Sequence, residues 1–455
     1  MKKISTFCLV LLSTLASWAY DFQSGDLCYN ITSDVVPYTV EVTYEEDSYD
    51  NYSGLTTAII PESVTYNGIT YSVTSIGDNA FHYCSSLASV VIPNTVVSVL
   101  NGVFSDCKSL TSITIDPDNA VYDSREGCNA IIETATNTLV FGCKSTIIPN
   151  SVTTIGKHAF SGCSVLESIT IPYGVTSIEE YAFYECTSLT SILLPASVTH
   201  LGPGAFAYTG LTSLIIPKSV TNIEAFPASF AEYSHANIVL GSPITKLSVE
   251  SGNPIYDSRN NCNAIIETAT NKLLMGCQNT IIPNTVIEIG RSAFCVCESL
   301  KSIEIPSSVT VIGGNAFNSC SSLSSVGIGD NIELIEAFAF LKCTALPTIT
   351  LPSSVKTIGQ LAFYGCDSLA NVYVKATTPP AFNMSNAVFT SSPTCYIPCG
   401  TKSAYEASDW AQYVSEFVEE NCEGIEQITY TSMNDSVVAF NTASDFGAYF
   451  VKNEW

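Results

Sequence analysis

Cysteine is the residue of this 455-residue chain with the most chemistry to offer: there are 18, against 4 histidines. Cys84, Cys107, Cys163, Cys186, Cys297, Cys320, Cys343 and Cys366 each fall three residues after a phenylalanine of an Ala-Phe or Val-Phe pair. A metal centre needs ligands converging from several directions. One fixed place in a recurring unit instead stacks the thiols in a parallel column, where they serve as small buried hydrophobes and their parallel Cβ vectors disfavour disulfides. Cys128 and Cys143 are different, as are Cys262 and Cys277. Each pair falls opposite across a predicted hairpin turn, at 134–137 and 268–271, and these four are the candidate disulfide cysteines of an exported chain. Cys395 and Cys399 form a further local candidate pair.

Other catalytic and metal signals are sparse. The histidines, His82, His158, His200 and His235, share no position between repeats, and no G-x-S-x-G elbow, H-E-x-x-H helix or phosphate loop is present. Asp116-Pro117-Asp118-Asn119 has the look of a calcium loop, but its sister segment reads Glu250-Ser251-Gly252-Asn253, so a turn is the better reading. Tyr-Asp-Ser-Arg at 122–125 and 256–259 reads as a turn packed by tyrosine. No catalytic residue, metal or cofactor is expected. With 42 acidic and 17 basic side chains the net charge is −25, which argues against nucleic acid and anionic membrane surfaces as partners.

The elements that would position any site come from an internal repeat. The phenylalanines 81, 104, 160, 183, 206, 294, 317, 340 and 363 are mostly 23 residues apart. Between them runs L-x-x-I-x-I, as at Leu166, Ile169 and Ile171, in which alternate side chains enter a core and a proline such as Pro172, Pro195, Pro306 or Pro352 ends the strand. One unit has too few anchors to offset the entropy of ordering itself, so the units must stack into a solenoid. The expected fold is a leucine-rich-repeat right-handed coil with a parallel β-sheet on one face. Two β-hairpin insertions, near 116–148 and 250–282, interrupt it in a block duplicated at an offset of 134.

Residues 1–19 read as an export signal, with Lys2 and Lys3 before a short apolar stretch and Ser17 and Ala19 at the cleavage site. Residues 20–75 should form a β-rich N-terminal cap, 76–374 the repeats, 375–424 a C-terminal cap with helical spacing over 402–420, and 425–455 a tail. No segment after the signal is apolar for long enough to span a bilayer as a helix.

The phrases SVTSIGDNAFHYCSSLASVVIP (72–93) and SVTVIGGNAFNSCSSLSSVGI (308–328) closely resemble the BspA-like, or Treponema pallidum-type, leucine-rich repeats found on surface proteins of Bacteroidetes and in some parasitic protists. The resemblance implies an extracellular, non-enzymatic binding protein, adhering to matrix or host proteins or to other bacteria. It carries no fixed binding residues to this chain.

Strand alternation puts Ser112 and Thr114, Ser168 and Thr170, Ser191 and Leu193, Ser302 and Glu304, and Thr348 and Thr350 on the outward face. These form the candidate binding face: broad, hydroxyl-rich and weakly charged. The expected partners are extracellular or cell-surface proteins. Glycans are the alternative, and a structural envelope role without a soluble ligand is a third.

Overall fold

The computed structural model describes residues 20–45, 51–100, 102–224, 237–383, 388–420 and 422, with the strands Ile428–Thr431 and Val437–Phe440. The export-signal reading of 1–19, most of the acidic run at 45–47, His235 and most of the 425–455 tail lie outside the described residues. The chain divides into two units, Met1–Leu211 and Thr212–Trp455, each taken here by itself.

Within each unit the 23-residue repeat is a coil, and coils are joined along three edges. The first edge is a two-residue parallel ladder, as where Thr154–Ile155, Ser177–Ile178 and His200–Leu201 pair in register. In the second unit the equivalent ladder runs through Glu288–Ile289, Val311–Ile312, Leu334–Ile335 and Thr357–Gly359. The second edge is the longer L-x-x-I-x-I strand, seen where Ser89–Ile92 pairs with Ser112–Ile115 and Ser302–Ile305 with Ser325–Ile328.

The third edge is the Ala-Phe turn. Residues two before and two after the phenylalanine take left-handed backbone, as at Tyr181 (φ 53°) and Glu185 (φ 58°), or Asn315 (φ 57°) and Ser319 (φ 59°). Alternating right- and left-handed residues points every second amide the same way. The amides of His158, Phe160 and Gly162 accordingly donate to the carbonyls of Glu180, Ala182 and Tyr184 on the next coil, and those of Asn315, Phe317 and Ser319 to Ala337, Ala339 and Leu341. The phenylalanine rings stack behind these amides, with Phe160 to Phe183 centroids 5.1 Å apart and Phe183 to Phe206 5.6 Å. Phe294, Phe317, Phe340, Phe363 and Phe389 continue the same way in the second unit.

Specific side chains close the N-terminal end of the first unit and the C-terminal end of the second. Strands Leu27–Ser33 and Thr39–Thr43 form an antiparallel pair at the N-terminus, and Thr39–Thr43 runs parallel to Ile69–Ile76, which itself pairs with Ser98–Val99. Asn51 stands in for a missing preceding coil: its Nδ2 donates to the carbonyls of Ala80 and His82, which no earlier turn can satisfy. In the second unit, helical spacing over 402–420 is only partly realised. Lys402–Glu406 is helical, but Glu416–Glu420 is a strand paired parallel with Thr394–Pro398, because Phe417 continues the inward column begun by Val372 and Cys395. Buried Tyr405 and Trp410 donate to the carbonyls of Ala376 and Pro380 across that end.

The thiol column is as expected in place, and it has a role beyond filling space. Sγ of Cys107, Cys186, Cys320, Cys343 and Cys366 donates to the phenylalanine carbonyl one coil back, at 3.0–3.2 Å.

The hairpin disulfides are a correction: Cys128, Cys143, Cys262 and Cys277 are separate buried thiols. Near the turn the strands pair as the sequence suggests, Ile132 with Leu139. A bulge between Ile131 and Ile132 then shifts the register by one, so that Ala130 faces Gly142. That single residue brings the Asn129 carbonyl, not Cys128, to Cys143 Sγ. The same bulge between Ile265 and Ile266 separates Cys262 from Cys277. Nor do Cys395 and Cys399 pair, since Cys399 is joined to Cys422 and Cys395 is buried in the core. Gly142 is where the hairpin crosses the stack: a Cβ there would run into the Phe160 ring.

Two outcomes follow from this packing. Phe183→Ala removes a ring held between two others, and the denaturant midpoint should report a loss of about 3–5 kcal/mol; a loss below 1 kcal/mol would show that the stack does not carry the core. Burial pushes the Cys163 and Cys297 thiols up to about 12 from an ordinary 9.0. The folded chain therefore keeps protons that the unfolded chain releases, so stability should fall as pH rises above about 9. Pulsed alkylation at neutral pH should leave Cys186 and Cys320 unmodified until the protein unfolds.

Candidate functional site

With inward positions committed to the core, only the outward positions of each coil are free to meet a ligand. Thr114, Ser168, Thr170, Ser191, Ser302, Glu304, Thr348 and Thr350 are exposed, and Ser112 is half-buried. They do not share one continuous sheet. Ser112 and Thr114 lie on Ser112–Ile115, Ser302 and Glu304 on Ser302–Ile305, and Thr348 and Thr350 on Thr348–Leu351. Residues 168–171 and 191–194 alternate in burial but are not paired strands, a correction to the expected single sheet. Their coils are tied at the Thr154, Ser177 and His200 ladder and at the Ala-Phe turn, which leaves the outer edge unpaired. Ile169 and Ile192 are correspondingly only half-buried.

Many hydroxyls near this face are structural. Thr111, Thr176, Thr199, Thr245 and Thr310 each donate Oγ1 to a carbonyl of the preceding coil. Ser145 does the same to Thr111. None of these belongs to the candidate set.

At the step that also carries Thr114, Thr170 and Thr350, other coils of each unit display aliphatic side chains, of which the sequence reading named only Leu193. Ile147, Leu193 and Ile281, at the same outward step of their coils, are 74%, 81% and 75% exposed. Ile59, Val91 and Ile215 occupy that step too. The signal was present: Ile59, Val91, Leu193 and Ile215 are each the middle residue of an apolar triplet, and Ile147 and Ile281 follow a threonine and precede an inward isoleucine, so that alternation turns all of them away from the core. Further along the second unit the same step carries Tyr373 and Tyr396, whose rings stack at 4.5 Å beside Asn371 and Thr394.

One part of the face is concave. A groove of about 560 Å3 is lined by Ile281, Ile282, Asn284, Ser302, Glu304 and Ser307, and by Gly327 and Gly329 of the next coil. The Glu304 side chain lies across Gly327, where a Cβ would meet its carboxylate.

The duplicated Tyr-Asp-Ser-Arg segments are clamps, as a turn reading implies. Arg125 holds Asp123 through two hydrogen bonds and also reaches Asn137 and Ser151. Arg259 repeats this with Asp257, Asn271 and Thr285. Tyr122 accepts the Val99 amide, and Tyr256 that of Ile223, replacing a backbone partner that the hairpin displaces. Asn119, weighed as a calcium ligand, spends its amide on the carbonyls of Pro93 and Val96 and its Oδ1 on the amides of Val121 and Tyr122. Asn253 makes the same four bonds. Of the histidines, His82 faces Asp106 and His200 faces Glu179, both at 3.9 Å, while burial lowers the pKa of His158. Among the described residues Cys399, Glu419 and Cys422 bring potential ligand atoms together, but the two sulfurs are bonded to each other.

The family profile described as the BspA type leucine rich repeat region matches residues 63–128, 138–251 and 270–395 in six copies. Similar solved structures include a leucine rich cell surface protein from Faecalibacterium prausnitzii, 25% identical with a TM-score of 0.47 over 88% of this chain and 94% of that one. The pneumococcal vaccine antigen PcpA is 18% identical with a TM-score of 0.50, over 88% of this chain and 98% of that one, a likeness of fold. A leucine-rich repeat protein from Bacteroides ovatus is 24% identical with a TM-score of 0.37, over 88% of this chain and 100% of that one. No curated protein matches the chain. No helix among the described residues is long and apolar enough to cross a membrane.

Structural and available hydroxyls should separate by mutation. Thr176→Val deletes an intercoil bond and should cost roughly 0.5–1 kcal/mol, whereas Ser168→Ala should change stability by less than about 0.5 kcal/mol. Equal losses by denaturant titration would show that Ser168 belongs to the scaffold.

Proposed function

The chain belongs to the BspA-type leucine-rich-repeat family, and on that premise we propose that it is an exported cell-surface protein that captures partner proteins, without catalysis, through the outward positions of its coils. The carrying observation is the aliphatic column. Single exposed hydrophobics are ordinary on a soluble protein, but Ile147 and Leu193 in the first unit, and Ile281 in the second, recur at one step of the repeat, interspersed with threonines such as Thr170 and Thr350. Aliphatic anchors flanked by hydrogen-bonding groups are the composition of a protein-recognition surface. The coils that present them are rigid, so little ordering entropy opposes docking. The partners in this reading are extracellular or cell-surface proteins of a host or of other bacteria.

A glycan reading draws on a different place. Tyr373 and Tyr396 stack on paired strands with Asn371 and Thr394 beside them, offering aromatic surface next to neutral hydrogen-bonding groups.

The test compares adherence of protein-coated beads to immobilised matrix proteins and to intact bacteria, for the natural sequence and for the triple variant Ile147→Lys, Thr170→Lys, Leu193→Lys. Capture should fall at least roughly tenfold with an unchanged melting curve. Undiminished capture by a folded triple variant would remove this face as the site. Capture that disappears on enzymatic deglycosylation of the targets, and on Tyr373→Ala, would favour the glycan reading instead.

A further inference from the structure

The groove in the second unit has a built origin. At the outward step, successive coils carry Ile281, Glu304, Gly327 and Thr350. Gly327 deletes a side chain from that column, and Gly329 stands where neighbouring coils have Pro306 and Pro352. A Cβ at 329 would come within 2.6 Å of the Ser307 amide nitrogen, so the two coils approach closely there. The space left above Gly327 is bounded by exposed Ile281 on one side and by Ser302, Ser307 and Asn284 around it.

The electrostatics of this space are one-sided. Among its lining residues Glu304 alone is charged, and no basic side chain lines it. A neutral or acidic segment docking here would strip water from the Glu304 carboxylate and return nothing for it. A single carboxylate is also too few ligands for a divalent cation. A lysine or arginine side chain satisfies both halves of the site, its charge on the carboxylate and its hydrocarbon stem on Ile281.

We infer that this groove receives a lysine or arginine side chain from an extended segment of a partner protein, paired with Glu304 and flanked by Ile281 and Gly327. The inference rests on the proposal that the outward face docks proteins, and it names the chemistry of one contact. The Ser302 and Ser307 hydroxyls and the Asn284 amide are placed for the backbone of the same segment.

The experiment uses the whole protein and three synthetic peptides, serine alternating with lysine, with arginine or with glutamate, followed by fluorescence anisotropy at physiological salt. Lysine and arginine peptides should bind and the glutamate peptide should not. Glu304→Gln and Gly327→Thr should each weaken binding roughly tenfold or more. Gly327→Thr fills the groove and displaces the Glu304 carboxylate, the flexible end of a side chain that a Cβ at 327 would meet, while the backbone there has no left-handed φ and Thr350 occupies the same step one coil on; an unchanged melting curve checks that the fold accepts it. Glu298→Gln, an exposed carboxylate outside the groove, should leave binding within about twofold; it reports general attraction to an acidic protein. Equal weakening by Glu304→Gln and Glu298→Gln, or undiminished binding by Gly327→Thr, overturns the inference. Should Glu304→Gln keep full capture of partners that the Ile147, Thr170 and Leu193 variant loses, this groove is excluded while the docking face stands. If neither variant loses capture, both fail.

Discussion

A 23-residue coil cannot satisfy its own backbone, and every other feature of this protein answers to that fact. At the Ala-Phe turns of Phe160, Phe183, Phe294, Phe317 and Phe340 three alternate amides point along the stack, and their acceptors belong to the next coil. Holding them that way requires left-handed backbone on both sides of the phenylalanine, even at Phe338, Leu361 and Val296, where bulky side chains make it costly. The cost is tolerated because unpaired buried amides would be worse. Stacked rings and the cysteine thiols, five of which return a hydrogen bond to the coil before, complete the interior on the same period.

The same constraint explains the ends and interruptions. Asn51 supplies side-chain donors where no preceding coil exists. The hairpins interrupt the period, and each must be stitched back by groups outside the backbone ladder: a tyrosine hydroxyl, an asparagine amide and an Arg-Asp clamp, all repeated between the two copies. Repetition of these contacts in both sister blocks fits a structural duty.

The outward positions are the ones that the scaffold does not use, and the proposed docking face is built from them. Alternation exports every second residue of each outer strand, and those residues vary freely because nothing packs on them. This produces mostly serine and threonine at one step, a mixture of threonine, aliphatic side chains and tyrosine at the next, and a groove where glycine enters that second step. A scaffold so regular makes recognition a matter of which side chains are displayed, and the Glu304 groove is the place where shape, charge and apolar surface coincide.

The period of 23, the inward column of Phe, Cys, Leu and Ile, the strand-ending prolines and the hairpin insertions were all legible in the chain, because each is a local pattern repeated until chance is excluded. The outward set was legible as positions, since alternation alone assigns it, although the aliphatic column was passed over in favour of the hydroxyls. What the chain did not reveal depends on contacts between coils. A one-residue bulge decided that Cys143 meets Asn129 and not Cys128. Pairing with Thr394–Pro398 turned a helix-spaced segment into the strand Glu416–Glu420. The unpaired edges at 168–171 and 191–194, and the groove over Gly327, arise from how neighbouring coils meet. Such differences are set by register and close approach across the stack, quantities that no single coil encodes.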